Sequence, residues 1–295
     1  MPHWEMSWQL AAVLAGSLFA AAGVAWLSGR PRLCAAVPFV REAGLVVALY
    51  ALWQYAGTYS VMGPQGALPR ARWIWHAERA WHLPSEAAVQ HLVLPYRLLV
   101  ETFNLYYATM HFIVLIIFLV WLFARHRDHY SQIRVTLVLL TGACLLIQLV
   151  PVAPPRLLGG VGLIDTADVY GQSVYALGGG MADQFSAMPS VHVAWATLIA
   201  VGVWRATSSK WRWLAVGHAA ATWVVVIATA NHFWLDGIVA VALLVAAWPV
   251  AGAVRAALAS VTVRAAAVRR HDLAPAESPA DRLGTSADVR SLGAR

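Results

Sequence analysis

FNLYYATMHFIVLIIFLVWLFA, residues 103–124, contains no Asp, Glu, Lys or Arg. A bilayer core about 30 Å thick is crossed by a helix of about 20 mostly apolar residues, and this run meets that requirement by itself. Outward from it, comparable runs occupy roughly 8–27, 43–62, 133–152, 189–204, 211–230 and 233–254, which makes seven candidate spans. The fifth is short and polar at its start. The rest of the composition agrees: 60% of the 295 residues are hydrophobic and only 12% are charged, against about 25% charged in a soluble domain. Mean hydropathy is +0.62. Fifteen Trp suit a chain with many turns at the membrane interface. The expected fold is all-α, a polytopic membrane bundle of about six to seven helices. A soluble enzyme, a coiled coil and disorder are excluded for most of the chain. The 21 Gly and 14 Pro show no period, which excludes collagen-like and solenoid folds.

Charge gives the expected orientation. MPHWEMS, residues 1–7, has no Lys or Arg, whereas Arg30 and Arg32 follow the first run. That order is wrong for a cleavable signal and right for a span whose N-terminus is outside. The inner connections and tail then hold 16 of the 21 Lys and Arg, as the positive-inside rule requires. The net charge of +7 is scattered in short clusters and does not form a nucleic-acid surface. One Lys among twenty Arg, with much Ala, suggests a high-GC bacterial genome. The expected location is therefore a bacterial plasma membrane, with the C-terminal tail cytoplasmic. Cys34 and Cys144 give neither a disulfide nor a zinc spacing. Three regions are expected: an N-terminal helix and inner loop at 1–42, a main membrane domain at 43–255, and a basic, disordered tail at 256–295.

Between the second and third runs, RARWIWHAERAWHL (70–83) mixes Trp73, Ile74, Ala77, Ala80 and Trp81 with Arg70, Arg72, His76, Glu78 and Arg79. This reads as an amphipathic helix in the outer interface; the alternative is a solvated connection. Pro84 ends it and Ser85 caps a following short helix.

Polar residues gather at the outer ends of the spans. Arg156 follows the fourth in PVAPPRLL (151–158), Ser190 and His192 open the fifth in AMPSVHVAWA (187–196), and His232 and Asp236 open the seventh in ANHFWLDGIVA (230–240). Ionisable groups there are costly and default to functional readings. His232 and Asp236 are spaced i, i+4, on one helical face. A carboxylate accepting from one imidazole nitrogen leaves the other as a lone-pair nucleophile or base. Pro189 suits the first turn of a helix, where Ser190 adds a hydroxyl to the free backbone amides that attract phosphate. His192 adds a proton donor, and Arg156 a planar fork for phosphate oxygens. Taken singly, each has an ordinary alternative: a structural pair, a helix cap, a snorkelling Arg. Together they describe a phosphoryl-transfer site that needs no metal or cofactor. Tyr107 and Asn104 share a face with His111 in the third run and are expected to wall a headgroup pocket; a bundle histidine is the alternative there.

PSVH followed forty residues later by HFWLD resembles the type-2 phosphatidic acid phosphatase superfamily. APPR and NLYYATMH are similar to its inositolphosphotransferase branch, which includes the aureobasidin-sensitive inositol-phosphorylceramide synthases. The resemblance covers roughly 40–255 and is most specific over 188–236. It implies that His232 forms a phosphohistidine, Asp236 orients it, His192 protonates the leaving oxygen, and Ser190 and Arg156 hold the phosphate. It implies a membrane phospholipid or polyprenyl-type lipid phosphate as substrate, with water, an alcohol or a polyol as acceptor. Three positions depart from the superfamily pattern: Val191 replaces a Gly, Val226 an Arg and Leu149 a Lys. A second cation is then expected from Arg72, Arg79 or Arg97. The competing readings are a transporter or non-catalytic lipid-binding protein, and a metallohydrolase using the two His and the Asp.

Overall fold

The computed structural model describes residues 6–57, 65–172 and 183–272. Ten α-helices appear among them: α1 (Trp8–Leu27), α2 (Pro31–Gly57), α3 (Ala67–Ala80), α4 (Glu86–Val93), α5 (Arg97–Arg125), α6 (Arg127–Gln148), α7 (Thr166–Val169), α8 (Val191–Ala206), α9 (Arg212–Ala228) and α10 (Trp234–Asp272). No strand is present among the described residues, in keeping with the all-α expectation. Five of the helices are long and apolar enough to cross a membrane: α1, α2, α5, α6 and α10. The remaining apolar helices, α8 and α9, have 16 and 17 residues.

The described residues fall into two units, divided between Ala251 and Gly252. The second contains the end of α10, which stays helical to Asp272 instead of losing order at 256. Ala and Arg, both strong helix formers, make up about half of that stretch. Of the expected tail, 273–295 lies outside the described residues, as does the 58–62 end of the second candidate span.

The second span begins at Pro31, twelve residues before the hydropathy run suggests. Pro fits the first helical position because its missing N–H would be unpaired there. Arg41 and Glu42 interrupt the run in sequence, but the structure carries the carboxylate inside. Glu42 is buried and accepts from Tyr130 Oη at 3.0 Å and from the Arg134 guanidinium of α6. The loop expected at 28–42 therefore shrinks to Ser28–Arg30, and α1 packs back along α2.

The main core lies between α5, α6, α8, α9 and α10. On α5, Leu115, Phe118, Leu119 and Leu122 turn inward at i, i+3, i+4 and i+7, while Ile116, Ile117 and Val120 stay exposed. That is one apolar stripe for the core and another for lipid. Leu122, Ile133, Leu198, Ile199 and Ile227 are almost fully enclosed within this cluster. Two close approaches require glycine. A Cβ on Gly202 would lie 2.5 Å from the Phe118 ring, and one on Gly237 would run into the Trp223 indole.

At the other end of the molecule α3 and α4 lie over the start of α10. The amphipathic reading of α3 holds, with a different division of its faces. Ala67, Ala71, Ile74 and Glu78 form the buried stripe, whereas Trp73 and Trp81 are exposed. Ser85 caps α4, accepting from Ala88 N at 3.4 Å.

Candidate active site

Backbone hydrogen bonds stitch three distant stretches together. Val152 N donates to Phe185 O at 2.7 Å, and Ala187 N to Val152 O at 3.2 Å. Arg156 N donates to Ala230 O at 3.0 Å, and Ser190 N to Asp236 O at 3.1 Å. The side chain of Gln148, at the end of α6, donates to Ser186 O and Pro189 O. The connections 149–158, 185–190 and 229–236 thus become one layer across the ends of the helices. Buried irregular backbone must find partners, and here the partners are one another.

His232 stands in this layer, 4% exposed. Its Nδ1–H donates to Ala187 O at 2.7 Å, with Asp236 Oδ2 3.3 Å away. Both contacts fix the tautomer, so Nε2 holds the lone pair. Nε2 is buried and has no hydrogen-bond partner. Asp236, fully buried, also accepts from Phe233 N at 2.8 Å through Oδ2, so one oxygen both caps α10 and faces the imidazole.

Arg156 sits in a 3-10 turn, Pro155–Leu157, that the double proline starts. Its Nε donates to Asp165 Oδ2 at 2.9 Å and its Nη1 to Asn231 Oδ1 at 2.5 Å. Asp165 also caps α7 through Asp168 N. Arg156 and His232 line the same small polar cavity, with Tyr107, Gln184, Ser186 and Asn231.

Ser190 is the N-cap of α8: Oγ accepts from Val193 N at 3.3 Å and is fully buried. His192, in the first turn of α8, stacks on Tyr107 with ring centroids 4.2 Å apart. It lies 5.7 Å from the His232 ring and 4.2 Å from His111. His192 Nε2 is buried without a partner. A second, apolar cavity meets His192 together with Tyr106, Tyr107, His111 and Val226. The Tyr107 ring therefore borders both cavities.

Of the sequence-selected residues, His192, His232, Asp236, Arg156, Ser190, Tyr107 and His111 are thus brought to one end of the bundle. Asn104 is turned to another task. Its side chain donates to Gln172 Oε1 and accepts from Thr166 Oγ1, holding the α7 segment that carries Asp165. Two of the three arginines considered as a second cation are engaged elsewhere. Arg79 pairs with Glu86 at 3.1 Å, and Arg97 with Glu101 at 2.8 Å. Arg72 is exposed on α3 and does not line the polar cavity. Asn231 and Asp165 escaped the sequence reading, although Asn231 is the neighbour of His232 in the motif. Among the described residues, no three His, Cys, Asp or Glu side chains are grouped so as to hold a metal ion.

Residues 72–250, from within α3 to the first part of α10, match the PAP2 superfamily. This chain belongs to the PAP2 superfamily. Members of that superfamily are phosphoesterases, and membership points to phosphatase or phosphotransferase activity on lipid phosphates. The match does not single out the inositolphosphotransferase branch. No curated protein and no solved structure gives a significant match. In this PAP2 superfamily member the position of the missing arginine is filled by Val226, which walls the apolar cavity beside His192 and accepts the Asn231 and His232 amides on its carbonyl.

Proposed function

We propose that this PAP2 superfamily protein is an integral-membrane lipid phosphatase or phosphotransferase, inositolphosphotransferase-like, that works through a phosphohistidine on His232 without a metal. The observation that carries this reading is the pair of imidazoles with ring centroids 5.7 Å apart, each with a buried, unpartnered Nε2, beside a cavity walled by Arg156. Phosphoryl transfer requires such near-contact of nucleophile and acid.

In the first step the His232 Nε2 lone pair attacks phosphorus and the bond to the lipid alcohol oxygen breaks. His192, protonated, gives its proton to that oxygen. Arg156 and the amides at the start of α8 balance the equatorial charge. The Ser190 cap uses an oxygen lone pair and leaves its O–H to donate to phosphate. In the second step an acceptor hydroxyl attacks phosphorus, the P–N bond breaks, and His192 takes the acceptor's proton. Water makes the overall reaction a hydrolysis, and an alcohol or polyol makes it a transfer. Tyr107 and His111 wall the site on the headgroup side. The site faces outward from a bacterial plasma membrane, as the distribution of basic residues favours.

The test is the purified protein in phosphatidylcholine vesicles carrying phosphatidic acid, phosphatidylinositol or a polyprenyl phosphate, with and without myo-inositol or glycerol. Phosphate release into water identifies a phosphatase; a new phosphodiester identifies a transferase. The rate is expected to follow a bell-shaped pH profile. It falls on the acid side as His232 is protonated and on the alkaline side as His192 loses its proton. His232→Ala is expected to abolish turnover and the acid-labile phosphoprotein. Near-normal turnover in that variant removes the nucleophile and, with it, this mechanism. Binding of lipid phosphate without any turnover favours a non-catalytic lipid-binding protein or a transporter.

A further inference from the structure

The first amides of a helix have no intrahelical partner and must be satisfied from elsewhere. At the start of α10 the Phe233 amide is taken by Asp236, and the Leu235 amide by Glu78 Oε1 of α3 at 2.7 Å. A carboxyl group distant in sequence therefore grips the turn between His232 and Asp236. Glu78 is fully buried, an unusual position for a carboxyl group that serves only as a cap.

Its surroundings show how it is held. Arg79 Nη2 lies 3.1 Å from Glu86 Oε2 and 3.8 Å from Glu78 Oε2, and donates to Pro84 O at 3.0 Å. Pro84 O also accepts from Trp234 Nε1 at 2.9 Å, a second tie to the start of α10. Glu78 Oε2 and Glu86 Oε1 are both buried with no donor to satisfy them. A proton on one satisfies both through an O–H···O bond. Burial first, and then the hydrogen bond and charge of Glu86, push Glu78 up to about 9, so the proton resides there at neutral pH. The facing ionisable groups are Arg79 from α3, Glu86 from α4 and Asp236 from α10.

We propose that Glu78, locked by Glu86 and Arg79, is a positioning residue of the phosphoryl-transfer site, holding the Leu235 amide and so fixing the turn that presents His232 and Asp236 to the pocket. The inference rests on His232 being the nucleophile. It commits Glu78 to action as a neutral hydrogen-bonding group of a set length, not as a charge.

Three variants separate these roles in the vesicle assay, using the full chain and whichever of phosphatidic acid, phosphatidylinositol or a polyprenyl phosphate the wild type turns over. Glu78→Gln keeps the length and the acceptor oxygen, and is expected to stay within about fivefold of wild type. Glu78→Asp keeps the acid but cannot reach, and Glu78→Ala removes the group. Both are expected to lose about 30- to 100-fold in kcat with KM within about threefold, the scale on which a small misplacement of reacting groups costs rate. Hydrogen exchange over 230–236 is expected to accelerate in Glu78→Asp and Glu78→Ala but not in Glu78→Gln. Should Glu78→Ala fail to fold, the Gln and Asp pair carries the test. An Asp variant more active than the Gln variant overturns the proposal in favour of a charge role. Equal losses in Gln and Asp, or unchanged exchange in the slow variants, also overturn it. If the wild type turns over none of the three lipids, the functional reading fails separately, and the exchange comparison still decides whether Glu78 clamps the turn.

Discussion

The turn at 230–236 has two polar flanks. On one, Arg156 and the Asn231 side chain border the polar cavity with the His232 ring. On the other, Glu78, Glu86 and Arg79 form a cluster that borders neither of the two cavities described. The cavity flank presents a cation, an amide and a lone-pair nitrogen. The closed flank presents acceptors and absorbs backbone amides. Buried polar groups are tolerated only when satisfied, and the two flanks satisfy theirs in different ways. The closed flank pairs most of its groups with one another and with α10, leaving Arg79 Nε over. The cavity flank leaves His232 Nε2 unsatisfied, and an unpaired nitrogen beside an arginine is what a phosphoryl group requires. The difference teaches that the lone-pair nitrogen is presented by a turn whose other flank is tied to α3 and to Pro84.

The comparison breaks most visibly on the cavity flank. With His232→Ala removing turnover altogether, Arg156→Ala is next, with an expected loss of about 100- to 1000-fold in kcat/KM, the usual scale for deleting one preorganised charge stabiliser. Arg156→Lys keeps the charge but cannot reach Asp165 and Asn231 through a planar fork. It is expected to recover no more than about tenfold of that loss. Initial rates over a range of lipid phosphate concentrations check both. A fully active lysine variant would mean that Arg156 works as a point charge and that its hydrogen-bond geometry is incidental.

Asp236→Asn sits on the border of the two flanks. In a His–Asp pair where the carboxylate alone fixes the tautomer, the Asn variant costs about 10,000-fold. Here the Ala187 carbonyl accepts from Nδ1 at 2.7 Å, nearer than Asp236 Oδ2 at 3.3 Å. The amide oxygen of the substituted side chain can still accept from the Phe233 N–H. The expected loss is therefore only about 10- to 100-fold, read from single-turnover phosphoenzyme formation. A loss on the 10,000-fold scale would show that the Asp236 charge, not the tautomer, is what His232 needs.

How much of this was legible from sequence depends on the flank. His192, Ser190, His232, Asp236 and Arg156 stand out because each is a polar residue at the edge of a long apolar run, where charge is expensive. The bundle was legible for the complementary reason, since runs such as 103–124 have no soluble alternative. Asn231 and Asp165 were not selected, because they fix Arg156 by contacts over 75 and 9 residues that no local spacing encodes. In the sequence Glu78 is only one of the charges on an amphipathic helix. From periodicity alone, Trp73 and Trp81 rank above it as candidates for the buried face, yet Glu78 is the enclosed residue and they are exposed. Hydropathy takes a carboxylate as a water-facing residue, and it cannot detect that a second carboxyl and an arginine on either side of Pro84 will neutralise it. The early start of α2 was missed for the same reason, because Arg41 and Glu42 end a hydropathy window although Glu42 finds Arg134 and Tyr130 inside.

The smallest expected effect lies on the closed flank and is a slope rather than a loss. In the folded protein Glu78 holds its proton up to about 9, while an unfolded chain releases it near 4.5. Its contribution to stability is then fully present below about pH 4.5. It declines as pH rises, because the unfolded state releases a proton that the folded state keeps, and it levels off once the folded carboxyl ionises. Glu78→Gln carries no such proton. The variant's unfolding temperature in detergent micelles should therefore gain on that of wild type steadily between about pH 5 and pH 9, with Arg79, Glu86 and Asp236 unchanged in both. The cavity flank contributes nothing to this difference, since it is identical in the two proteins. A gap that stays constant across the range would mean that Glu78 is ionised throughout, and that Arg79 alone satisfies both carboxylates without a shared proton.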